Sequence, residues 1–265
     1  MRYDWKEDLP AEPGTLEYFH AIDQRFFSAA DFCARKGPQP FDRFLDFPSL
    51  RNADVLEIGV GHGSHAQLLA THARSFTGID LTEKASGMTR QRFKLLGIPG
   101  RIERMDAEKM QFADGSFDFI WSWGVIHHSA NTRAILKEMH RTLRPNGKAV
   151  VMVYYRSFWK YWVECALVRG LLKGEWLKYR SLSRILQEST DGALARFYTF
   201  SEFAKECDGL FKTEFSVCGQ KPELVLLPPG KFKNFILKSL PDPVARFFLS
   251  RLRFGSFLMA ELTRI

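Results

Sequence analysis

The sequence predicts an α/β fold in which a seven-stranded, mostly parallel sheet is flanked by helices. From residue 53 onward, short apolar runs alternate with stretches of helical periodicity, and this alternation is typical of β-α-β units. The chain of 265 residues is long enough for one large α/β domain with an insertion. We therefore expect one sheet, preceded by a helical segment and interrupted by a helical insertion after its fifth strand.

The predicted elements of the first half alternate regularly. A helix is expected over residues 15–35, with Thr15 as its N-cap, and a short helix around residues 41–47. Five strands are predicted at residues 53–58, 76–79, 101–104, 117–122 and 149–154. The helices between them are predicted at residues 65–73, 82–96 and 131–143.

The alternation breaks after Tyr154. Apolar periodicity predicts two helices in the insertion, at residues 158–172 and 175–187. Thr199 and Glu202 have the spacing of a capping box, which begins another helix. The last two strands are predicted at residues 213–218 and 256–262.

The composition is that of a globular protein, with 45% apolar and 26% charged residues. The four cysteines are scattered without a CxxC pair, which favours a reducing compartment and argues against a zinc site with thiolate ligands. The N-terminus has no apolar stretch typical of signal peptides, and no run of about 18 apolar residues occurs. We therefore expect a cytoplasmic protein. We expect no metal, because no cluster of His, Asp and Glu has ligand spacing.

The net charge of +8 is concentrated in two segments that are also rich in aromatic residues. Residues 154–186 contain seven Lys or Arg against two Glu, and residues 221–265 contain eight against three acidic residues. Each segment therefore has a net charge of +5. Such segments fit either peripheral contact with an anionic membrane surface or an ordinary solvated basic face, and the sequence leaves both interpretations open.

A glycine-rich loop follows the first predicted strand, where residues 57–63 read EIGVGHG with the spacing ExGxGxG. Glycines let a backbone turn sharply and approach a ligand closely, and the next helix presents free N–H groups. Asp80 ends the second strand, where a carboxylate can accept both hydroxyls of a ribose. The spacing predicts a nucleotide-like ligand, although residues 61–66 also fit the GxGxxA pattern of dinucleotide-binding proteins.

Five ordered motifs lie between Val55 and Tyr154. They read VLEIGVGHGS, FTGIDLT, RMDAE, FADGSFDFIWSWGVIHH and LKEMHRTLRPNGKAVVMVY. Together they resemble the class I S-adenosylmethionine-dependent methyltransferases, in the subgroup that acts on small molecules and lipids. This resemblance implies a Rossmann-like fold, S-adenosylmethionine as cofactor and S-adenosylhomocysteine as product. Asn146 stands where the family usually has glycine, but asparagine tolerates the left-handed conformation that the turn needs.

The resemblance also suggests a division of the chain and a set of cofactor contacts. The division is an N-terminal helical segment (1–50), a cofactor-binding half of the core (51–154), a helical insertion or lid (155–198) and a C-terminal part with the last two strands (199–265). The implied cofactor contacts are Glu57, Gly59, Gly61, Gly63, Asp80, Leu81, Asp106, Ala107, Ser122 and Trp123. Among these, Asp80 would bind the ribose hydroxyls and Asp106 the adenine edge, whereas Glu57 either reaches the amino group or only braces the loop.

His127 and His128 lie five and six residues beyond Ser122, at the end of the fourth strand. In-line methyl transfer depends mainly on positioning. An acceptor O–H or protonated amine also needs a base, for which histidine suits neutral pH. The two histidines are therefore candidate catalytic bases, and the alternative that they brace the loop stays open.

The segment after the fifth strand is rich in aromatic residues that would form a largely apolar wall over the site. The candidate substrate-binding residues are Trp123, His127, Tyr154, Tyr155 and Trp159. We therefore expect a small-molecule acceptor of hydrophobic or lipid-like character, methylated at oxygen, nitrogen or carbon. No nucleic acid is expected, because no (D/N)PPY motif follows the fourth strand.

Other function classes remain as alternatives. One is a non-catalytic S-adenosylmethionine-binding or RNA-binding module, since intact glycines and acids do not demonstrate turnover. Another is an NAD-dependent oxidoreductase, which the absence of a second nucleotide-binding half and of a Tyr-x-x-x-Lys pair disfavours.

Overall fold

The computed structural model describes residues 9, 11–190 and 194–265, so parts of the N-terminal segment and of the insertion lie outside the described residues. Its strands are β1 (Asp54–Ile58), β2 (Ser75–Asp80), β3 (Arg101–Arg104), β4 (Phe117–Trp123), β5 (Leu143–Tyr155), β6 (Phe197–Tyr198), β7 (Phe211–Cys218) and β8 (Phe257–Arg264). They form one sheet in the order β3-β2-β1-β4-β5-β8-β7, with β6 paired to the end of β5. β8 runs antiparallel to both its neighbours, whereas the other pairs are parallel. The predicted mostly parallel α/β sheet is confirmed.

The helices lie on both faces of this sheet. They are α1 (Leu16–Ala34), α2 (Phe47–Leu50), α3 (Ser64–Ala70), α4 (Glu83–Leu96), α5 (Thr132–Thr142), α6 (Glu175–Tyr179), α7 (Leu182–Gln187), α8 (Phe200–Cys207), α9 (Lys231–Ser239) and α10 (Asp242–Arg246). A wider, π-helical segment occupies Trp159–Leu172, and shorter helical turns occupy Ile126–His128, Lys221–Leu224 and Phe247–Arg251. Successive strand residues face opposite sides, so Val55 packs with α1, α3 and α4, and Leu56 packs with α5 and α8.

Helix caps explain where several predicted elements begin. Thr15 accepts a hydrogen bond from the backbone N–H of Tyr18 and starts α1. Thr82 does the same at α4, and Thr199 forms a complete capping box with Glu202 at α8. These three helices therefore begin where the sequence predicts.

Left-handed residues explain two errors of the prediction. The short helix expected around residues 41–47 is absent there, because Phe41 has φ 62°, and a four-residue helix begins only at Phe47. The single helix expected over residues 175–187 is split into α6 and α7 by Arg180, whose φ is 50°. The strand β6 was also missed, because two residues are too short to show a period.

The turn before the buried part of β5 has the conformation that the sequence predicts. Asn146 has φ 61°, in the left-handed region that asparagine tolerates better than most residues. At Gly147 a Cβ atom would lie 2.8 Å from the carbonyl oxygen of Arg144, so this position requires glycine. The turn sets the register in which β5 runs beside β4.

Substitution of Asn146 tests this turn. We expect Asn146→Ala to lower the free energy of unfolding by about 1 kcal/mol, because the Cβ of alanine is sterically strained in the left-handed conformation. Asn146→Gly should be neutral or stabilising, since glycine adopts positive φ without strain. Urea unfolding of the three proteins measures the difference. Equal stabilities of the alanine and glycine variants would contradict the assigned strain.

Candidate functional site

The carboxyl ends of the first four strands meet at one edge of the sheet. Glu57 of β1 lies beside Gly78 of β2 and Trp121 of β4, and Asp80 lies beside Arg104 at the end of β3. Ligands of open α/β sheets bind at this edge. The glycine loop and the acidic residues singled out in the sequence therefore come together in space.

The three loop glycines have different surroundings. The N–H groups of Gly59 and Val60 both donate to the carbonyl of Ile79, at 2.8 and 3.2 Å, so the loop folds over the end of β2. Gly59 has φ 87°, and a Cβ there would overlap the side chain of Val125. Gly61 has φ 54°, and no atom lies within 4 Å of its Cβ position. The backbone at Gly61 is therefore open to a ligand, and Gly63 caps α3 behind it.

The carboxylate of Asp80 lies at the edge of the glycine loop. One oxygen accepts the N–H of Gly61 at 3.2 Å, and the other accepts both the N–H and the hydroxyl of Thr82 at 3.0 Å. The carbonyl of Asp80 accepts the N–H of Met105 at 2.9 Å, which joins β2 to the turn after β3. The next side chain, Leu81, is 65% exposed, so its apolar surface is free to flank a ring.

The turn after β3 presents Asp106 and Ala107 to the same edge. Asp106 is exposed, and its carboxylate accepts the N–H of Glu108 at 2.9 Å, which shapes the turn. Ala107 is partly buried against the apolar core below. The structure thus brings together the residues that the sequence assigned to a nucleotide's ribose and base.

Glu57 lies beneath the loop, fully buried. Its Oε1 is 3.8 Å from Nδ1 of His65, and its Oε2 has no hydrogen-bond partner among the described residues. Burial raises the pKa of Glu57 well above its usual range; Asp80 raises this pKa further and Arg92 opposes the rise. Burial also lowers the pKa of His65 to about 3. The histidine is therefore neutral and does not compensate a charge on Glu57.

Arg92 of α4 joins the elements around the loop, a role that the sequence did not signal. It is 1% exposed, and its guanidinium donates to Gln67 at 2.8 Å, to the carbonyl of His62 at 3.2 Å and to Asp23 of α1. Its charge also lies over the ring of Phe19. Because a buried charge must be paired, this contact network fixes α1 against the glycine loop.

Ser122 and Trp123 end β4 in different ways. The hydroxyl of Ser122 is buried and donates to the carbonyl of Ile58 at 3.2 Å, so it ties β4 to β1. Trp123 is only partly buried, and its ring stacks on Trp121 at 5.6 Å. Of the two, only Trp123 lines a cavity.

The two predicted histidines differ in their environments. His127 is completely buried, with neither ring nitrogen hydrogen-bonded among the described residues. Burial, and then the neighbouring His128, lower the pKa of His127 well below its usual value. His128 is half-buried, and its Nδ1 donates to the carbonyl of Leu194 at 2.6 Å, which leaves the lone pair on Nε2. The ring of Tyr154 contacts both histidines, with centroid distances of 4.1 and 5.7 Å.

Two adjoining cavities lie beyond the ends of β4 and β5. The smaller, of about 170 Å³, lies between α1 and the sheet, and its apolar lining includes Trp123 and Met152. The larger, of about 500 Å³, lies between the insertion and the segment before α9. Both are lined by Tyr154, Gln220 and Phe257, so the two cavities share this part of their walls. The sequence indicated Tyr154, but not the wall that α1 contributes through Phe26, Ala29, Ala30 and Cys33.

Three predicted substrate contacts, His127, Tyr155 and Trp159, are not among the residues that line these two cavities. Tyr155 faces the opposite side of β5 from Tyr154, where it packs on Phe200 at 5.4 Å, because successive strand residues alternate. The indole N–H of Trp159 donates to the carbonyl of Glu223 at 2.9 Å, and its ring stacks on Phe254. Tyr155 and Trp159 therefore pack within the fold rather than line either of these two cavities.

The described residues contain neither a metal-binding cluster nor a helix that could span a membrane. No group of three or more His, Cys, Asp and Glu residues there could hold a metal ion. None of the helices in the described ranges is long and apolar enough to cross a membrane.

Comparison with known proteins gives consistent matches for the core. Residues 56–151 match the family described as "Methyltransferase domain". A phthiotriol/phenolphthiotriol dimycocerosates methyltransferase of Mycobacterium tuberculosis is 36% identical over 100 residues, which are 37% of this chain and 36% of that protein. The 27-O-demethylrifamycin SV methyltransferase of Amycolatopsis mediterranei is 32% identical over 111 residues, which are 40% of this chain and 41% of that protein.

The structural match extends further than the sequence match. A SAM-dependent methyltransferase of Methanosarcina mazei has a TM-score of 0.54 at 17% identity, over 81% of this chain and 93% of that chain. At this identity the likeness concerns the fold. The matched stretches are 36% and 41% of the length of these two curated relatives. The family match ends at residue 151, before the insertion.

Glu57→Gln tests the buried carboxyl. A raised folded-state pKa means that the stability contributed by protonated Glu57 is complete below its unfolded pKa and is lost as pH rises through the folded value. We therefore expect the variant to gain stability over the native protein as the pH rises above the range in which an ordinary glutamate carboxyl titrates.

Denaturant unfolding through and above this pH range, without ligand, measures the gain. Glu214→Gln, at an exposed strand position, is the matched control and should follow the native curve. Parallel curves for Glu57→Gln and the native protein would contradict the raised pKa.

Proposed function

Residues 56–151 form a methyltransferase domain of the class I, Rossmann-like kind whose cofactor is S-adenosylmethionine, and we propose that this chain methylates a small hydrophobic or lipid-like acceptor. The observation that carries the proposal is the apolar cavity between α1 and the ends of β4 and β5. It begins at Trp123 and Gly124, next to the Val125 side chain that packs on the glycine loop. A relative of the matched region is named for a lipid acceptor, which supports the same substrate class.

The residues of the sheet edge fit the cofactor. The open backbone at Gly61 can take a ligand in van der Waals contact, and the Asp80 carboxylate at the rim suits the two ribose hydroxyls. Leu81 offers an exposed apolar surface to the adenine, and Asp106 a carboxylate to its edge. The unpaired oxygen of Glu57 is an acceptor for the amino group.

S-adenosylmethionine supplies a methyl carbon on a positive sulfur, so that one in-line displacement yields methylated acceptor and S-adenosylhomocysteine. The residues of this chain position the acceptor and exclude water from the reacting atoms. Trp123, Met152 and Phe26 form an apolar chamber that holds the acceptor beside the loop. Tyr154 and Phe257 continue this wall toward the larger cavity, which has room for the remainder of the acceptor.

An acceptor O–H or protonated amine must lose a proton, and we assign this step to His128, whose ring contacts Tyr154, a residue that lines both cavities. The Nδ1–H of His128 is held by Leu194, so that Nε2 keeps a lone pair that can accept a proton. His127 is neutral and buried, and it contacts the ring of Tyr154, which lines both cavities. We assign His127 the role of positioning Tyr154 and His128.

The proposal extends to peripheral contact with a membrane surface, where a lipid-like acceptor would reside. Both basic segments expose large apolar side chains, such as Trp162 and Leu177 in the first and Phe232 and Phe235 in the second. Exposed apolar groups among Lys and Arg are typical of interfacial binding.

Release of S-adenosylhomocysteine tests the activity directly. We expect release from S-adenosylmethionine in the presence of some members of a library of hydrophobic alcohols, phenols and amines. A protein that binds the cofactor tightly but releases no product with any of them would instead favour the non-catalytic binding module.

Gly61→Ala tests the cofactor cradle. A methyl group there meets no atom of the ligand-free protein, although the positive φ strains alanine, as it also does at Gly97. It would occupy the space of the cofactor, so we expect at least about tenfold weaker binding of S-adenosylhomocysteine, which is about 1.4 kcal/mol. Gly97→Ala is the matched control, because Gly97 also has positive φ with open space around it, at the far end of α4. Calorimetry measures the affinity of both variants and of the native protein for S-adenosylhomocysteine. Equal affinities would remove Gly61 from the binding site.

His128→Asn tests whether His128 acts as a catalytic base or only supports the loop. The asparagine amide can still donate to Leu194 in place of Nδ1, but it has no basic nitrogen in place of Nε2. With an acceptor that must lose a proton, we expect kcat to fall about 100-fold or more while cofactor affinity is retained. The pH–rate profiles of His128→Asn, His127→Ala and the native protein measure this. Unchanged kinetics in both variants would eliminate the histidine base.

A further inference from the structure

We propose that the mouth of the larger cavity docks on an anionic lipid bilayer, so that the acceptor passes from the bilayer into the cavity. This inference rests on the proposed function, and it deepens it by naming the surface from which the acceptor comes. The cavity rim is defined as residues 171–178 on one side and residues 227–238 on the other. Both parts contribute lining residues, Lys173 and Lys233 among them.

Large apolar side chains on both parts of the rim are exposed next to lining residues. Leu171 and Leu172 are each 72% exposed and directly precede Lys173, and Leu177 is 83% exposed. On the other side Phe232 and Phe235 are 68% and 67% exposed, flanking Lys233. A concentration of apolar surface around one opening is unusual for a surface that faces only water, and it marks an interaction site.

Helix α9 has the character of an interfacial helix. None of its nine residues is buried, so packing within this chain does not account for its apolar side chains. Its sequence, KFKNFILKS, combines three lysines with Phe, Ile and Leu, and it has no acidic residue. A helix that buries apolar side chains at the level of lipid headgroups, with lysines beside the phosphates, has this composition.

The charge of the rim selects an anionic surface. The rim contains Lys173, Lys178, Lys231, Lys233 and Lys238. Against these five lysines stands one acidic residue, Glu175, which already forms an ion pair with Arg169 at 2.9 Å. A second copy of the chain on the same symmetric surface would bring these lysines together, which costs free energy. An anionic bilayer complements both the charge and the exposed apolar groups.

The wall of the larger cavity continues from the rim toward the reaction chamber. Its apolar side runs along Val225, Leu226 and Leu227 just before α9, and Tyr154 and Phe257 belong to the walls of both cavities. An acceptor that leaves the bilayer at the rim thus meets this apolar side of the larger cavity, whose opposite side carries charged residues such as Lys160 and Glu164. The arrangement suits a lipid whose reacting end enters the smaller cavity while the rest stays in the larger one.

Sedimentation with vesicles tests the inference on the full chain. The probes are vesicles of phosphatidylcholine alone and of phosphatidylcholine with phosphatidylserine, at low and high salt. We expect binding to the anionic vesicles that weakens with salt. Phe232→Ser combined with Phe235→Ser should lower the partition coefficient at least about tenfold, because two exposed rings no longer enter the interface.

The matched control is Leu95→Ser combined with Ile265→Ser, which removes exposed apolar side chains away from the rim and should bind like the native protein. Lys231→Glu combined with Lys238→Glu should also abolish the preference for phosphatidylserine. Equal sedimentation of the phenylalanine variant and its control, or no binding of the native protein at low salt, would overturn the inference. So would a native dimer that the phenylalanine variant converts to a monomer in light scattering, because the rim would then be a self-interface.

Calorimetry with S-adenosylhomocysteine keeps the two proposals distinguishable. All rim variants should bind it with the affinity of the native protein, since the rim is not part of the cofactor cradle. Normal cofactor affinity and product release without vesicle binding would overturn the membrane inference and leave the proposed function standing. Vesicle binding without cofactor affinity would overturn the proposed function instead.

Discussion

The buried guanidinium of Arg92 is the constraint on which the site depends. It pairs with Asp23 of α1 and donates to the carbonyl of His62 in the glycine loop, so one charge holds the N-terminal helix, the loop and α4 together. Removing one partner of a buried charge pair costs several kcal/mol, typically about 3–5, because the other charge is left without compensation. Since α1 also forms a wall of the smaller cavity, the same contact that shapes the glycine loop shapes this cavity.

The sheet edge and the two cavities are built from different parts of the chain. At the edge, backbone groups and short acids must reach one ligand, and the parallel sheet delivers them because its strands end together. The cavities are built from elements far apart in the chain, including α1, the end of β5 and the start of β8. Tyr154 and Phe257 belong to both cavities and therefore connect the chemistry of the sheet edge to the basic, apolar rim.

Local rules account for what could be predicted. Thr82 and Thr199 cap helices whose starts were predicted, because a cap is a contact between residues three apart. Asn146 adopts the predicted left-handed turn for the same local reason. Tyr155 and Trp159 were expected beside the acceptor but pack within the fold, because strand alternation and a distant carbonyl, that of Glu223, decide where they point.

The sequence by itself determined the α/β class, the order of the elements before the insertion, and which glycines and acids follow the first strands at the sheet edge. These follow from periodicity, from caps and from spacings within single loops, which are properties of neighbouring residues. Only the tertiary structure decided that Arg92 holds α1 against the glycine loop. It also decided that His127 is buried, whereas the Nδ1 of His128 donates to a carbonyl and leaves a lone pair on Nε2. It placed the exposed phenylalanines of α9 beside the larger cavity. The burial of a side chain and its hydrogen-bond partners depend on residues far away in the chain, so a local sequence pattern does not predict them.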